Sequence, residues 1–263
     1  MKTIGLLSVC VLLIAIKQTS SLPAPSDLPQ PPVPPLSSLS SQILEFIINP
    51  NRTQLECSVI DEDIPNTQSG MIPVRYRWQN FYVFIDPEYN DNERNLINYA
   101  MNRLAQVLPC VRFGIWPIGS TPSGDYVHIK KLNGCFSAIG KQGGGQQMSL
   151  QSPDCMWMDT ILHEMIHTLG FDHEQSRPDR DDFVTVQFQN VIPGKERNFI
   201  KHSYGQVSTF NVGYDQQSIM HYDSTDFSRN GQPTIVAKDG GAIGSTGDLR
   251  QSDILKLKRM YKC

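Results

Sequence analysis

Residues 163–174 read HEMIHTLGFDHE and place three histidines and two glutamates in one short stretch. His163 and His167 are four positions apart, so on a helix both side chains lie on one face, about 6 Å apart at Cβ. Two imidazoles on one face can bind the same metal ion. Glu164 lies beside the first histidine, where its carboxylate can reach a metal-bound water without being a ligand. The spacing therefore predicts a helix that carries two metal ligands and a general base.

The residues after this pair indicate a third ligand. Gly170 comes three positions after His167, and glycine turns out of a helix into a left-handed conformation at little cost. That turn would bring His173 back toward the same ion. Three neutral histidines leave one position on zinc open for water, which is typical of a catalytic site. A surface helix without metal, or a structural zinc site closed by a fourth cysteine or histidine, fits the pattern less well.

The composition of the chain excludes some classes of partner. The chain has 263 residues and a formal net charge of −3. This length allows one sizeable domain or two small ones. The balance of charges indicates neither nucleic acid nor an anionic membrane as a partner.

The N-terminus has the pattern of a signal peptide. Lys2 precedes an apolar run at residues 4–16, and residues 19–21 are small. The run is too short to cross a membrane as a mature helix, which argues against an uncleaved anchor. We therefore expect residues 1–21 to be removed and the protein to be secreted, with no membrane attachment afterwards.

The remaining chain divides into a small N-terminal segment and one compact domain. Residues 22–40 are rich in proline and serine and predict an extended, solvated stretch. Regular patterning begins near Tyr76 and becomes loop-rich after Gly170. His128 has no partner at ligand spacing, so a structural role is favoured. Periodicity predicts strands at Phe81–Ile85, Tyr126–Ile129 and Gln146–Leu150, the last at a sheet edge, and helices at Asp91–Leu108 and Ser252–Tyr261.

The cysteines and one sequon fit an oxidising, extracellular environment. Cys10 would leave with the signal peptide, and Cys57 has no obvious partner. Asn51 begins the only glycosylation sequon in the chain. Spacing alone leaves three ways to pair the four remaining cysteines, which are Cys110, Cys135, Cys155 and Cys263.

Longer motifs resemble a known family. The pattern HExxHxxGxxH at residues 163–173 and the sequence SIMHY at residues 218–222 resemble the metzincin metalloproteases. Glu174 after the third histidine, followed by RPDRD at residues 177–181, resembles the astacin family within them. The resemblance extends over the compact domain and includes GQQMSL at residues 145–150. It implies a zinc endopeptidase that acts on extended protein or peptide substrates.

The resemblance also implies roles for individual residues. One zinc ion per chain would be bound by His163, His167 and His173, with Glu164 as general acid and base. Tyr222 would be a weak further ligand that moves to donate a hydrogen bond to the transition-state oxyanion. In the same way, Met220 would pack beneath the metal, and Glu174 would contact the N-terminus of the mature enzyme.

Further implications concern stability and specificity. The family's disulfides would be Cys110–Cys263 and Cys135–Cys155. The expected edge strand Gln146–Leu150 would pair with the substrate backbone. Lys238 lies where family members line the pocket beyond the scissile bond and would favour acidic residues there, although an exposed lysine without that role is the ordinary case.

The family makes zymogens, and here the sequence departs from its pattern. Residues 22–69 would form the propeptide and residues 70–263 the catalytic domain. Asp63, in DEDI, is the nearest match to the zinc-blocking aspartate, but it lacks the family's glycine. Cys57 is the alternative, as a zinc-binding thiolate. Residues 53–74 contain no arginine, so the usual cleavage signal is absent.

We therefore expect an α+β protein with a twisted mixed sheet and an active-site helix above a loop-rich C-terminal half, with a cleft between them. The domain should end at Cys263, and the protein should be a monomer. Another metzincin family is disfavoured by Glu174. A non-enzymatic binding protein on the same scaffold is disfavoured because it would not need Glu164.

Overall fold

The computed structural model describes residues 77–263 of the chain. The predicted signal peptide and propeptide lie outside these residues, and so do Asn51, Cys57 and Asp63. Within the described part, no helix is both long enough and apolar enough to cross a membrane.

A five-stranded mixed sheet forms the first half of the domain. Its strands are β1 (Asn80–Ile85), β2 (Arg112–Ile115), β3 (Tyr126–Lys130), β4 (Cys135–Ser137) and β5 (Gly145–Leu150). Their spatial order is β2-β1-β3-β5-β4, with β4 antiparallel to β5 and the other neighbours parallel. Side chains on β1 alternate between buried and more exposed positions, as expected for a strand with one face on the core.

The expected edge position of Gln146–Leu150 is wrong. This segment forms β5, which is hydrogen-bonded to β3 on one side and to β4 on the other. Among the described strands, β4 is the edge strand on that side. Since β4 has only three residues, Cys135–Ser137, its sequence is too short to show the alternation that identifies a strand.

Two helices pack against this sheet and against each other. Helix α1 (Asp91–Val107) begins at a capping box in which Asn90 and Glu93 each accept a hydrogen bond from the other's backbone N–H. Helix α2 (Met158–Leu169) contributes an almost fully buried apolar face to the same core. The helix expected near residues 91–108 is thus confirmed.

The second half consists largely of turns, as expected, with its own small core. Two short strands, β6 (Val184–Val186) and β7 (Ile235–Ala237), form an antiparallel pair that the sequence patterns did not predict. Helix α3 (Gln251–Tyr261) ends the chain and packs back on the first half. The second core contains Val184, Val191, Phe199, Tyr222, Phe227 and Ile235.

Two disulfides tie these parts together. Cys110–Cys263 joins the segment after α1 to the last residue, and Cys135–Cys155 joins the edge strand to the segment before α2. Both pairings are those implied by the family resemblance. The α+β class with a mixed sheet and a loop-rich C-terminal half is confirmed.

Candidate metal centre

Helix α2 presents two histidines on one face. The rings of His163 and His167 lie one turn apart, with 4.5 Å between their centroids. The helix ends at Gly170, whose φ of 111° lies in the left-handed region that glycine adopts readily. The backbone N–H of Gly170 donates to the carbonyl of His167 at 2.8 Å, which closes the last turn.

The chain after Gly170 returns His173 to the same point. Its Nε2 lies 3.3 Å from Nε2 of His163 and 3.2 Å from Nε2 of His167. Three nitrogens bound tetrahedrally to zinc at about 2.0–2.1 Å would be about 3.3 Å apart. The separations therefore fit a zinc ion bound by all three side chains. Within residues 77–263, no other group of metal-binding side chains converges in this way.

The hydrogen bonds of the other ring nitrogens determine which atoms would face a metal ion. Nδ1 of His163 donates to the carbonyl of Ile219 at 2.7 Å, and Nδ1 of His167 donates to the carbonyl of Phe171 at 2.7 Å. Because Nδ1 carries the proton in both rings, Nε2 keeps its lone pair for the ion. Burial, and then the neighbouring His173, lowers the pKa of His167 to about 3, so this ring is neutral at neutral pH.

Glu164 is fully buried on the same helix, directly after His163. The three histidines around it are buried as well, with exposed fractions of 7%, 1% and 5% for His163, His167 and His173. Among side chains so shielded from solvent, charge–charge and hydrogen-bond interactions are stronger than in solution. A carboxylate at this position is therefore suited to holding a proton beside a bound metal.

The turn at residues 218–222 forms the floor of the site. The Ile219 carbonyl accepts the proton of His163 Nδ1, and the Met220 carbonyl accepts the backbone N–H of Glu174 at 2.8 Å. The Met220 side chain is buried in the larger hydrophobic core, which it shares with the sheet and helix α2, and its role there is packing.

Tyr222 follows in the second core. Its ring meets the His173 ring edge to face, with 4.5 Å between centroids, so it lies beside the third ligand. The neighbouring His221 donates from Nδ1 to the Tyr222 carbonyl and accepts from the Tyr214 hydroxyl at 2.6 Å. Burial lowers the pKa of His221 to about 4. These contacts give His221 a structural role.

Glu174 is the centre of a buried polar network. Its Oε1 accepts from Nη1 of Arg177 and from the backbone N–H of Asp215, both at 3.1 Å. Its Oε2 accepts from Nζ of Lys256 at 2.5 Å. A cavity adjoins this network and is lined by Phe171, Asp172, His173, Glu174, Arg177, His202, Val207, Ser208, Thr209 and Lys256.

Lys256 was not identified from the sequence, although a signal was available. In α3 it shares the inward face with Asp253, Leu257 and Met260, all of which are buried. A lysine on the buried stripe of a helix requires a negative partner. Asp253, on the same face, accepts hydrogen bonds from Ser218 Oγ at 2.5 Å and from the Ile219 backbone at 3.1 Å. Helix α3 therefore contacts the site twice, through Lys256 at Glu174 and through Asp253 at the turn of residues 218–222.

Asp172 and His202 were also missed. One Asp172 carboxylate oxygen lies 3.3 Å from Nδ1 of His173, and the other lies 2.6 Å from Nε2 of His202. Burial by itself would raise the pKa of Asp172, but the hydrogen bonds from His173 and His202 outweigh it and hold that pKa well below 3.8. Asp172 is therefore a carboxylate in contact with the third ligand.

Lys238 and His128, also singled out from the sequence, are not part of the group of three histidines. Lys238 is exposed directly after β7, and its backbone N–H donates to the Phe183 carbonyl. His128 lies on β3 and contacts Asp86, with 3.1 Å between Nε2 and Oδ2. This ion pair agrees with the structural role expected for His128.

Comparisons with known proteins agree with this geometry. The family model Astacin, which describes a family of peptidases, matches residues 71–262. Zinc metalloproteinase nas-15 of Caenorhabditis elegans is 41% identical over 180 residues, which cover 68% of this chain and 31% of nas-15. Zinc metalloproteinase nas-7 of the same organism is 41% identical over 199 residues, which cover 74% of this chain and 51% of nas-7. The chain thus spans about half or less of the length of these two relatives.

A solved structure has the same fold. High choriolytic enzyme 1, a hatching enzyme zinc-protease from Oryzias latipes (Medaka fish), matches with a TM-score of 0.65 and 31% sequence identity. The match covers 72% of this chain and 96% of that chain. Because the family match contains all three converging histidines and Glu164, the protein belongs to the astacin family of zinc metalloproteases.

Proposed function

We propose that the protein is a secreted zinc endopeptidase, made as a zymogen, that hydrolyses peptide bonds in extended substrates. The observation that carries this proposal is the convergence of three histidine Nε2 atoms beside the buried Glu164. The Nε2 atom of His173 lies 3.3 Å from that of His163 and 3.2 Å from that of His167. Three protein ligands leave a fourth position on zinc open, as catalytic sites require. Secretion is supported by the signal pattern at residues 1–21.

The chain's own groups would perform the proton transfers. Zinc held by His163, His167 and His173 would supply Lewis acidity, which lowers the pKa of water to about 7 and favours attack on a carbonyl. Glu164 takes the proton of the attacking water and passes it to the leaving amine. The Tyr222 hydroxyl donates a hydrogen bond where negative charge develops on the carbonyl oxygen. Met220 packs below the site and takes no part in the chemistry.

The substrate would bind along the edge strand β4 rather than along β5. An extended peptide that pairs with an exposed sheet edge gains main-chain hydrogen bonds, and alternate side chains enter pockets. Strand β4 packs beside the zinc-binding helix: Ser137 Oγ and Thr168 Oγ1 are hydrogen-bonded, and the Gly140 N–H donates to the His167 carbonyl at 2.9 Å. A peptide on this edge would therefore lie next to the histidines.

Maturation would remove residues 22–69, in which Asp63 is the proposed zinc-blocking residue and Asn51 the proposed glycosylation site. The mature N-terminus would then approach Glu174. The cavity beside Glu174 supports this proposal, because a buried carboxylate next to open space can accept a new ammonium group.

Lys238 would favour acidic substrate residues directly after the scissile bond. Its exposure after β7 leaves the ammonium accessible to a substrate side chain. Cleavage profiling on a peptide library should show an acidic preference in the wild type and its loss in Lys238→Met. An unchanged profile would mean that Lys238 is an ordinary surface lysine.

The function is tested by metal removal and by one substitution. The mature protein should cleave an extended peptide library, lose this activity on dialysis against a chelator, and regain it when zinc is added. Glu164→Ala should remain folded and bind zinc but lose activity, because it removes the proton acceptor and no metal ligand. Zinc content and turnover are measured on the same preparation.

Glu88→Ala is a matched control, since Glu88 is exposed and lies far along the chain from the zinc helix. It should retain both zinc and activity. Full peptidase activity in Glu164→Ala would contradict the proposed mechanism. A wild-type protein that binds zinc and cleaves no peptide in the library would contradict the function itself.

A further inference from the structure

The third histidine, His173, differs from His163 and His167 in the group that its Nδ1 atom contacts. Nδ1 of His163 and Nδ1 of His167 each donate to a backbone carbonyl, which is uncharged and fixed by the fold. Nδ1 of His173 faces a side chain instead, with 3.3 Å to Oδ1 of Asp172. The same Oδ1 accepts a hydrogen bond from the backbone N–H of His173 at 2.7 Å, so this carboxylate oxygen contacts both the backbone and the ring of His173.

A side-chain carboxylate needs its own support, because it can rotate where a backbone carbonyl cannot. His202 supplies that support: its Nε2 lies 2.6 Å from Oδ2 of Asp172. The backbone N–H of His202 donates to the Ser176 carbonyl at 2.8 Å, which anchors it to the turn after the third ligand. The exposed fractions of the two side chains are 31% for His202 and 16% for Asp172, so the pair is partly shielded from water.

We infer that Asp172 and His202 are positioning residues for the third zinc ligand, and that they form a His202–Asp172–His173 chain behind the metal. This inference rests on the proposed zinc-dependent function. The Asp172 carboxyl group, 3.3 Å from His173 Nδ1, accepts a hydrogen bond from that N–H, keeps Nε2 directed at the other two histidines, and makes this imidazole a stronger donor to the cation. His202 holds the carboxylate in the rotamer that makes this contact.

Zinc affinity is the direct test, because it does not depend on peptide hydrolysis. Asp172→Ala should weaken zinc binding by about 10–100-fold, as loss of a carboxylate behind a metal-bound histidine typically does. His202→Phe should weaken it by about 10-fold, near the lower end of that range, since Asp172 remains but loses its support. His202→Gln keeps a donor toward Asp172 and should recover most of the loss. Affinity is measured by competition with a chelator.

Cobalt provides a second readout that a purely structural role would not change. In the Co²⁺-substituted protein, the visible absorption bands should shift in Asp172→Asn, which keeps the shape of the side chain and removes its charge. Asp86 and His128 form a matched pair that is not part of the group of three histidines, with 3.1 Å between Oδ2 and Nε2. His128→Phe should therefore leave both the zinc affinity and the cobalt spectrum unchanged.

These measurements distinguish failure of the positioning role from failure of the proposed function. If Asp172→Asn and His202→Phe are folded and bind zinc as tightly as the wild type, with an unchanged cobalt spectrum, the inference is overturned. If His128→Phe weakens zinc binding as much as His202→Phe does, the effect is general destabilisation and the inference is also overturned. A wild type that binds zinc but cleaves no peptide contradicts the proposed function alone, because the affinities still decide the role of the pair.

Discussion

Glu174 and Lys256 lie 82 positions apart in the sequence and form an ion pair, with 2.5 Å between Oε2 and Nζ. Their side chains are only 5% and 8% exposed. Since Glu174 directly follows the ligand His173, this pair connects helix α3 to the metal centre. A buried ion pair adds little net stability compared with an apolar pair, but the loss of one partner leaves an uncompensated charge.

Lys256→Met should therefore destabilise the domain by about 3–5 kcal/mol, the range for breaking a buried ion pair. The remaining contacts of Glu174 to Arg177 and to the Asp215 backbone would reduce the loss toward the lower figure. The measurement is urea unfolding of the zinc-loaded protein. Adding Glu174→Gln to the variant should recover part of the lost stability, because no buried charge then lacks a cation.

Lys258→Met is the control for this prediction, because Lys258 is exposed on the other face of the same helix. It should change stability by less than about 0.5 kcal/mol, as is usual for surface substitutions. Equal losses of unfolding free energy in the two lysine variants would show that the ion pair with Glu174 does not determine the effect.

The short stretch at residues 163–173 is sufficient to predict much of the site. Helical spacing places His163 and His167 on one face, and Gly170 can end the helix so that the third ligand returns. All of this information is local, and the structure has the three rings converged as expected. Helix α1, whose 17 residues carry apolar side chains at helical spacing, was predicted for the same reason.

What the sequence does not reveal depends on partners distant in the chain. His202 is 30 positions from Asp172, and Lys256 is 82 positions from Glu174. Spacing rules for helices and strands contain no information on such contacts. The edge of the sheet was misassigned because β4 has three residues and its pairing with β5 follows from tertiary structure.

The two candidates for the zinc-blocking residue make opposite predictions for the precursor. If Asp63 blocks the metal, Asp63→Ala should give an unprocessed chain that cleaves peptide, while Cys57→Ser stays latent. Activity would be followed with a short peptide while the chain is shown to remain uncleaved. Asp61→Ala is the matched control and should stay latent. Latency in Asp63→Ala together with activity in Cys57→Ser would assign the block to the thiolate.

Tyr222→Phe should separate catalysis from packing. The Tyr222 ring packs on His173 and in the second core, and phenylalanine keeps these contacts. Loss of an oxyanion donor should lower kcat by about 10²–10³-fold with little change in KM. Steady-state kinetics and thermal unfolding of the same variant measure the two effects.

Tyr214→Phe provides the comparison, because its hydroxyl donates to His221 at 2.6 Å and faces no ligand. Its removal leaves the buried His221 without that donor and should cost about 1–3 kcal/mol of stability while kcat stays close to the wild-type value. An unchanged kcat in Tyr222→Phe would refute the role of the Tyr222 hydroxyl in stabilising the transition state.

Asp215 should make stability depend on pH in the acid range. Burial by itself would raise the pKa of Asp215, but hydrogen bonds from Ser252 Oγ at 2.6 Å and from the Gln217 backbone at 2.9 Å, together with Arg250, lower it below 3.8. A carboxyl group whose pKa is lower in the folded state binds fewer protons there than in the unfolded state. Its stabilising contribution is therefore complete above pH 3.8 and is lost as the pH falls through the folded value.

Asp215→Asn should consequently be less stable than the wild type by about 1 kcal/mol at pH 7, the usual contribution of such hydrogen bonds. The difference between the two proteins should shrink as the pH falls below 3.8, where the Asp215 carboxyl group of the unfolded wild-type chain takes up a proton, and should level off once the folded carboxyl group is protonated too. Both proteins are unfolded in urea after metal removal, so that release of zinc by acid does not enter the difference. Asp182→Asn, at an exposed carboxylate, should show a small difference at every pH. A difference for Asp215→Asn that grows toward low pH would contradict the assignment, because it would require a folded pKa above the unfolded one.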